Sequence, residues 1–448
     1  MTTEYSSALF TDLYEVTMAQ AYAAERMSGT AVFETFFRKL PQGRSYVMAA
    51  GLSDVLDFLE SFHFQPADID YLRELRLFTE EFLRSLSEVR FTGDVWAVPE
   101  GTVVFPNEPI VQVIAPIMEA QLFETFVVNQ IHLQSVIASK AARMVEAARG
   151  RRVIDFGARR AHGTDAANKV ARAAYLAGLA GTSNLLAART YGIPAVGTMA
   201  HSFVQAFDNE VDAFDAFARL YPGTTLLVDT YDTLEGVDHV IELARKRKDF
   251  DVAAVRLDSG DLGALSKATR AKLDAAGLNH VEIVASSGLD EYRIAALMNE
   301  GCPIDTFAVG TKLVVAQDAP ALDMAYKLVE YEGTGRTKFS SGKVIYPGRK
   351  QVVRRLDDRG IFAGDTIGRA DEQLDGEPLL VLVMKNGRRL PQGDADLSVS
   401  RDWARQQVDR LPPQLRSLEA GDWSYPVDIS PGIARDLEKL RRAWQSMS

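Results

Sequence analysis

The chain has 448 residues, 47% hydrophobic and 25% charged, which supplies core material for one large domain or two moderate ones. Fifty basic residues against 61 acidic ones give a net charge of -11, a balance that argues against a nucleic-acid partner. One cysteine, Cys302, excludes an internal disulfide framework and a multi-thiolate metal site, and no apolar run reaches the ~18 residues needed to span a membrane.

Residues 1–5 are acidic and lack the basic stretch and apolar core of a secretory signal, so the expected location is cytoplasmic. Residues 11–18 read as a capped amphipathic helix with Tyr14 and Met18 on one face. Between 28 and 118 the chain is β-rich, with strands expected at 31–37 and 101–105. Pro41, Gly43, Pro99, Pro106 and Pro109 separate these stretches. The middle alternates short apolar strands, expected at 153–156, 226–229, 253–257, 281–284 and 307–309, with helical periodicity. Leu234, Val237, Ile241 and Ala244 form one such face, Leu262, Leu265, Thr269 and Leu273 a second, and Ile294, Leu297 and Met298 a third. Around Gly197 a strand at 195–196 is expected to pass into a helix carrying Phe203, Phe207, Val211 and Phe214. After Tyr331 come further strands and turns at Gly333, Gly335, Gly342, Gly348 and Gly360. A final amphipathic helix carries Ile433, Leu437, Leu440 and Trp444.

Alternating strands and helices imply parallel pairing with right-handed crossovers. A barrel and an open sheet both satisfy this. Polar residues end several successive strands, which favours an irregular α/β barrel, because a barrel gathers those ends on one face. The expected architecture is therefore α/β. Residues 126–334 form a TIM-like barrel, and residues 1–125 with 335–448 form a mixed α+β domain built from both termini.

Those strand ends carry the chemistry. His201, in Gly197-Thr198-Met199-Ala200-His201-Ser202-Phe203, sits where a strand meets a helix. A ring nitrogen exposed there can accept a phosphoryl group, while the plainer reading is a histidine that caps or packs the turn. Arg256-Leu257-Asp258-Ser259-Gly260-Asp261 offers an arginine for a two-pronged grip on an anion and two aspartates for Mg²⁺; a simple capping box is the alternative. Ser286-Ser287-Gly288 and Gly310-Thr311-Lys312 present small residues and free amides, as a phosphate cradle requires. Asp155-Phe156-Gly157-Ala158-Arg159-Arg160 sets an aromatic beside two arginines, of which one is expected to face an anion. His63, His132, His162, His239 and His280 have no second ligand at zinc spacing and read as structural or exposed.

Taken in order, these segments resemble the nicotinate phosphoribosyltransferases over roughly residues 8 to 330. The match lies at 11–14, 155–160, Gly181-Thr182-Ser183-Asn184, 197–203, 256–261, 287–291 and 309–312. The resemblance implies nicotinate, phosphoribosyl pyrophosphate and ATP as substrates, Mg²⁺ as cofactor, and a homodimer with shared active sites. It implies that His201 is transiently phosphorylated and that Thr198 and a neighbouring subunit's Tyr14 contact nicotinate. Phe156 would stack on the pyridine. Arg256 and Arg159 would meet anions, Ser287, Gly288, Gly310 and Thr311 the phosphoribosyl diphosphate, and Asp258 and Asp261 the metal. Related nicotinamide enzymes carry aspartate where this chain has Ser183, so an acid substrate is favoured over an amide. Nicotinamide and quinolinate phosphoribosyltransferases, and a non-catalytic barrel that binds phosphate metabolites, are the competing readings.

Overall fold

The computed structural model describes residues 8–339, 343, 345–419 and 423–447; the acidic opening at 1–5 and Gly342 lie outside the described residues. The fold is mixed α/β and divides into two compact units, one from Met1–Val136 with Ala321–Ser448, the other Ile137–Pro320.

In the first unit, Thr30–Phe37 is buried at every position after Thr30. It pairs antiparallel with Val111–Pro116 on one side and Met324–Tyr331 on the other. Residues from both ends of the chain thus share one sheet. The expected strand at 101–105 shrinks to Val103–Val104, because Gly101 holds a left-handed φ of 89° and Pro106 follows. A hairpin of Lys350–Leu356 and Phe362–Arg369 turns at Gly360. The helix at the start is Leu13–Ala24, closed by a reciprocal Asp12–Glu15 capping box, and the last helix is Pro431–Met447.

Arg354 is the largest fully buried side chain of this unit. Its Nε and terminal nitrogen grip the Asp365 carboxylate at 2.9 and 2.6 Å, and Tyr425 donates to the same carboxylate at 2.8 Å. Burial and the nearby Asp365 push the Glu108 carboxyl well above the usual range. Breaking such a pair strands a charge in the core. Arg354→Met is therefore expected to cost about 3–5 kcal/mol of stability, read as a lower midpoint in denaturant unfolding.

The second unit holds a parallel sheet in the order Arg152–Asp155, Thr306–Val309, Glu282–Ala285, Val252–Leu257, Thr224–Leu227. Single parallel bridges continue it from Asp155 to Thr182 and from Thr182 to Ala195. Buried Ile154, Ala254, Val284 and Ala308 form one apolar cluster, against which Phe156, Ala180 and Val196 pack. Two expectations change. The segment at 195–196 makes only a bridge, since Pro194 has no N–H to extend a ladder. The long helix across 203–214 is two helices, His201–Gln205 and Glu210–Leu220, because Asn209 caps the second by accepting from the Asp212 amide.

Candidate active site

Parallel strands end in loops on one edge of the sheet, and in α/β folds that carboxyl edge is where ligands are met. Arg256, the penultimate residue of Val252–Leu257, organises this edge. It is 9% exposed, yet all three guanidinium nitrogens are engaged. Nε donates to Ser286 Oγ at 2.9 Å, one terminal nitrogen to Thr198 Oγ1 at 3.1 Å, and the other to Asp258 Oδ1 at 2.8 Å. Its guanidinium also lies 5.4 Å from the centre of the Phe156 ring. One side chain therefore ties together the ends of three strands and the turn before His201.

His201 opens its helix with 40% of its side chain exposed. Its Nδ1 lies 3.1 Å from Thr230 Oγ1, and its Nε2 faces Asp258 Oδ2 at 3.7 Å. The helix's N-cap is Ala200, which has no capping side chain, and the ring's hydrogen bond goes to Thr230 instead. Asp258 is half-buried, which by itself raises its carboxyl. Ser286, Arg256 and His201 outweigh that and hold it below the usual range. It stays an anion beside the imidazole.

The helix after 258–261 is capped, but by Asp261 and not by Ser259 or Asp258. The Asp261 Oδ1 accepts from the Gly263 and Ala264 amides. Asp258 faces Arg256 and His201 instead. Gly260 takes a φ of 76°, the left-handed turn between the two roles.

Other expected residues flank this centre. Ser183 is exposed, and its amide donates to the Asp155 carbonyl at 2.9 Å, beside Phe156. Asp155 itself is buried, accepting from Thr182 Oγ1 and the Gly157 amide, so it braces the loop. Gly310 packs against Phe156 and Gly157: a Cβ there would sit 3.7 Å from the Phe156 carbonyl oxygen. Thr311 follows, exposed, at the start of Thr311–Val314. Ser287 and Gly288 are exposed after Glu282–Ala285, with left-handed φ of 81° and 62°. For serine that is a strained conformation of the kind that gathers at ligand-binding turns. Arg159 and Arg160 are both exposed on the short 3-10 turn Ala158–Arg160. Tyr14 belongs to the other unit, on Leu13–Ala24, 44% exposed. Burial and then Glu124 and Glu15 push its phenol upward, so it remains a neutral donor.

Sequence reading missed Thr230 and took Asp229 only as the polar end of its strand. Asp229 Oδ2 accepts from the Asp258 amide at 3.1 Å and from Ser259 Oγ at 2.5 Å. Its Oδ1 is buried with no hydrogen-bond partner among the described residues. The available signal was position: Asp229-Thr230 follows strand Thr224–Leu227 as the other motifs follow theirs.

Similarity to known proteins converges on one group. Residues 9–132 match the nicotinate phosphoribosyltransferase (NAPRTase) N-terminal domain, and residues 151–343 the NAPRTase family. The chain is 73% identical over 441 residues to nicotinate phosphoribosyltransferase pncB2 of Mycobacterium tuberculosis (strain H37Rv), covering 98% of this chain and 95% of that protein. It is 42% identical over 385 residues to the Bacillus subtilis nicotinate phosphoribosyltransferase, 84% and 79% covered. The crystal structure of human nicotinic acid phosphoribosyltransferase superposes with a TM-score of 0.84 at 29% identity, over 96% of this chain and 99% of that one.

Proposed function

This chain belongs to the nicotinate phosphoribosyltransferase family, and from that premise we propose how its residues divide the work of the reaction. The activity is nicotinate phosphoribosyl transfer, and the implied role is salvage into NAD. The observation that carries the assignment of roles is the Arg256 fan, which holds Thr198, Ser286 and Asp258 while its guanidinium lies over the Phe156 ring.

Nicotinate lies against Phe156, with Thr198 and Ser183 as hydroxyl contacts and Arg159 as a cationic one, while Arg256 meets the pyrophosphate charge that grows as the bond to ribose breaks. The exposed loops with Ser287, Gly288, Gly310 and Thr311 cradle phosphoribosyl pyrophosphate through their amides and the Thr311 hydroxyl. The pyridine nitrogen's lone pair attacks ribose C1 as the C1–O bond to pyrophosphate breaks, and the leaving group departs with that electron pair. The centre is cation-like in between. No side-chain base is needed, because the attacking nitrogen carries no proton. Alignment of the two reactants and stabilisation of the departing charge are what the protein supplies.

Asp258 and Asp261 fit a Mg²⁺ that travels with the diphosphate. Each has a carboxylate oxygen outside the Arg256, Ser286 and helix-cap bonds, and Mg²⁺ typically takes only one or two protein carboxylates. When bound, that ion neutralises phosphate oxygens.

ATP is the third substrate. With Nδ1 turned to Thr230, Nε2 of His201 attacks the γ-phosphorus and ADP leaves. Water later cleaves the N–P bond and releases phosphate. The added charge beside Asp258 and Arg256 alters the pocket, coupling hydrolysis to substrate capture.

The sheet's continuation through Asp155, Thr182 and Ala195 supports an irregular α/β barrel. Exposure of Phe10, Leu13 and Tyr14 together supports a homodimer in which Tyr14 is offered to a second copy. The absence, among the described residues, of a helix long and apolar enough to cross a membrane is consistent with a cytoplasmic enzyme.

Substrate choice is tested at Ser183. A carboxylate there repels that of nicotinate and accepts from the amide of nicotinamide. Ser183→Asp is expected to lower kcat/KM for nicotinate by about tenfold or more and to admit nicotinamide. Competition kinetics with both substrates measures the ratio. An unchanged ratio removes Ser183 from the pocket.

A further inference from the structure

Behind the two phosphate loops lies an ionic cluster that the reaction scheme does not use. Lys140, on the helix Glu124–Ala147, is 1% exposed. Its Nζ lies 2.5 Å from Glu291 Oε2 and 2.7 Å from Asp318 Oδ1. One turn on, Arg143 Nε donates to Glu291 Oε1 at 3.2 Å, and its terminal nitrogen donates to the Tyr292 hydroxyl. Glu291 is the first residue of the helix Glu291–Asn299 and is wholly buried. Its neighbour Asp290 caps that helix through the Arg293 amide and accepts from Lys312 Nζ at 2.6 Å. Lys312 adjoins Thr311, and Asp318 lies just beyond the helix Thr311–Val314.

These contacts form a closed ring. Lys140 grips the start of the helix after loop 286–290 and the segment after loop 310–312, while Asp290 and Lys312 join the loops directly. A buried lysine between two carboxylates is an expensive arrangement that apolar packing could replace. Its geometric effect is to fix the spacing of two loops that carry the exposed amides, one of them strained at Ser287.

We propose that Lys140, through Glu291 and Asp318, is a positioning residue that sets the separation of the 286–290 and 310–312 loops and so tunes the affinity for phosphoribosyl pyrophosphate. The inference rests on reading those loops as the phosphoribosyl pyrophosphate cradle. Misplacement of such loops by a fraction of an ångström is felt most by the substrate they hold and far less by nicotinate, whose contacts Phe156, Thr198 and Ser183 lie outside them.

Steady-state kinetics on the full chain tests this. Lys140→Met is expected to raise KM for phosphoribosyl pyrophosphate by about tenfold while KM for nicotinate stays within about twofold. The double variant Lys140→Met/Asp318→Asn removes the carboxylate left without its cation and keeps the Arg143–Glu291 pair, so its melting temperature recovers while the raised KM persists. If Lys140→Met does not fold, the double variant and Asp318→Asn carry the same comparison, the latter with a smaller shift in the same KM. Recovery of KM together with melting temperature, or equal shifts in both KM values, overturns the proposal. Thr311→Val is the control. If it leaves KM for phosphoribosyl pyrophosphate unchanged, the cradle reading itself fails; if it raises that KM while the Lys140 variants do not, only the positioning role is lost.

Discussion

Arg256→Met is expected to lower kcat/KM for nicotinate phosphoribosylation by about 10²–10³-fold, the loss typical when a preorganised donor to a developing negative charge is removed. The reason is visible in how the side chain is held. The guanidinium of this 9% exposed residue is fixed by Ser286, Thr198 and Asp258 before any ligand arrives, so little reorganisation accompanies the reaction. Methionine keeps the stem and removes the fork. It also leaves Asp258 without its cation, raising that carboxyl toward the range that burial favours. Arg256→Lys separates charge from shape: a point charge cannot serve three acceptors at once, so an intermediate activity is expected. Thermal melts of the variants run alongside, and a loss of activity with an unchanged melt places the effect in the site. Activity of Arg256→Met within about threefold of the parent removes this residue from the transition state.

His201→Ala is expected to abolish both incorporation of γ-phosphate from ATP into the protein and the ATP hydrolysis that accompanies turnover. Nucleotide formation should persist at a reduced kcat/KM, because the glycosyl transfer itself needs no phosphorylated residue. The geometry supports this split. Nε2 of His201 is open and faces an aspartate, whereas its Nδ1 is turned toward Thr230. Thr230→Val loosens the ring while keeping the nucleophile, so labelling should slow without vanishing. Labelled phosphate on the His201→Ala protein, or undiminished ATP hydrolysis by it, contradicts the phosphohistidine assignment.

The parts of the fold that periodicity governs were legible. Strands at Arg152–Asp155, Val252–Leu257 and Thr306–Val309, and the helices between them, fall within a residue or two of expectation, because buried parallel strands are short apolar runs and their crossover helices are amphipathic. Local chemistry overrode periodicity at two places. Asn209 preferred to cap a new helix over continuing the old one, and Pro194 kept 195–196 from becoming a strand. In the site, the loops carrying His201, Arg256 and Phe156 were recognisable from residue type and order, and the structure joins them through Arg256. Thr230 was not singled out, and Asp229 and Ser286 were given no partners, because a hydrogen bond between segments some 30 residues apart leaves no local pattern. Lys140 was hidden for a similar reason. A lysine in a long helix reads as solvated, and only tertiary packing against Glu291 and Asp318 buries it.

On this reading one anion-binding pocket forms where the second unit's strands end. A crystal structure of the protein with nicotinate mononucleotide and pyrophosphate tests it most directly. The pyridine should stack on Phe156 with its carboxylate toward Ser183, the phosphates should rest on the loops at 287–288 and 310–311, and Arg256 should face the ligand. A nucleotide bound away from Phe156 and Arg256, with those side chains still closed on one another, would contradict it.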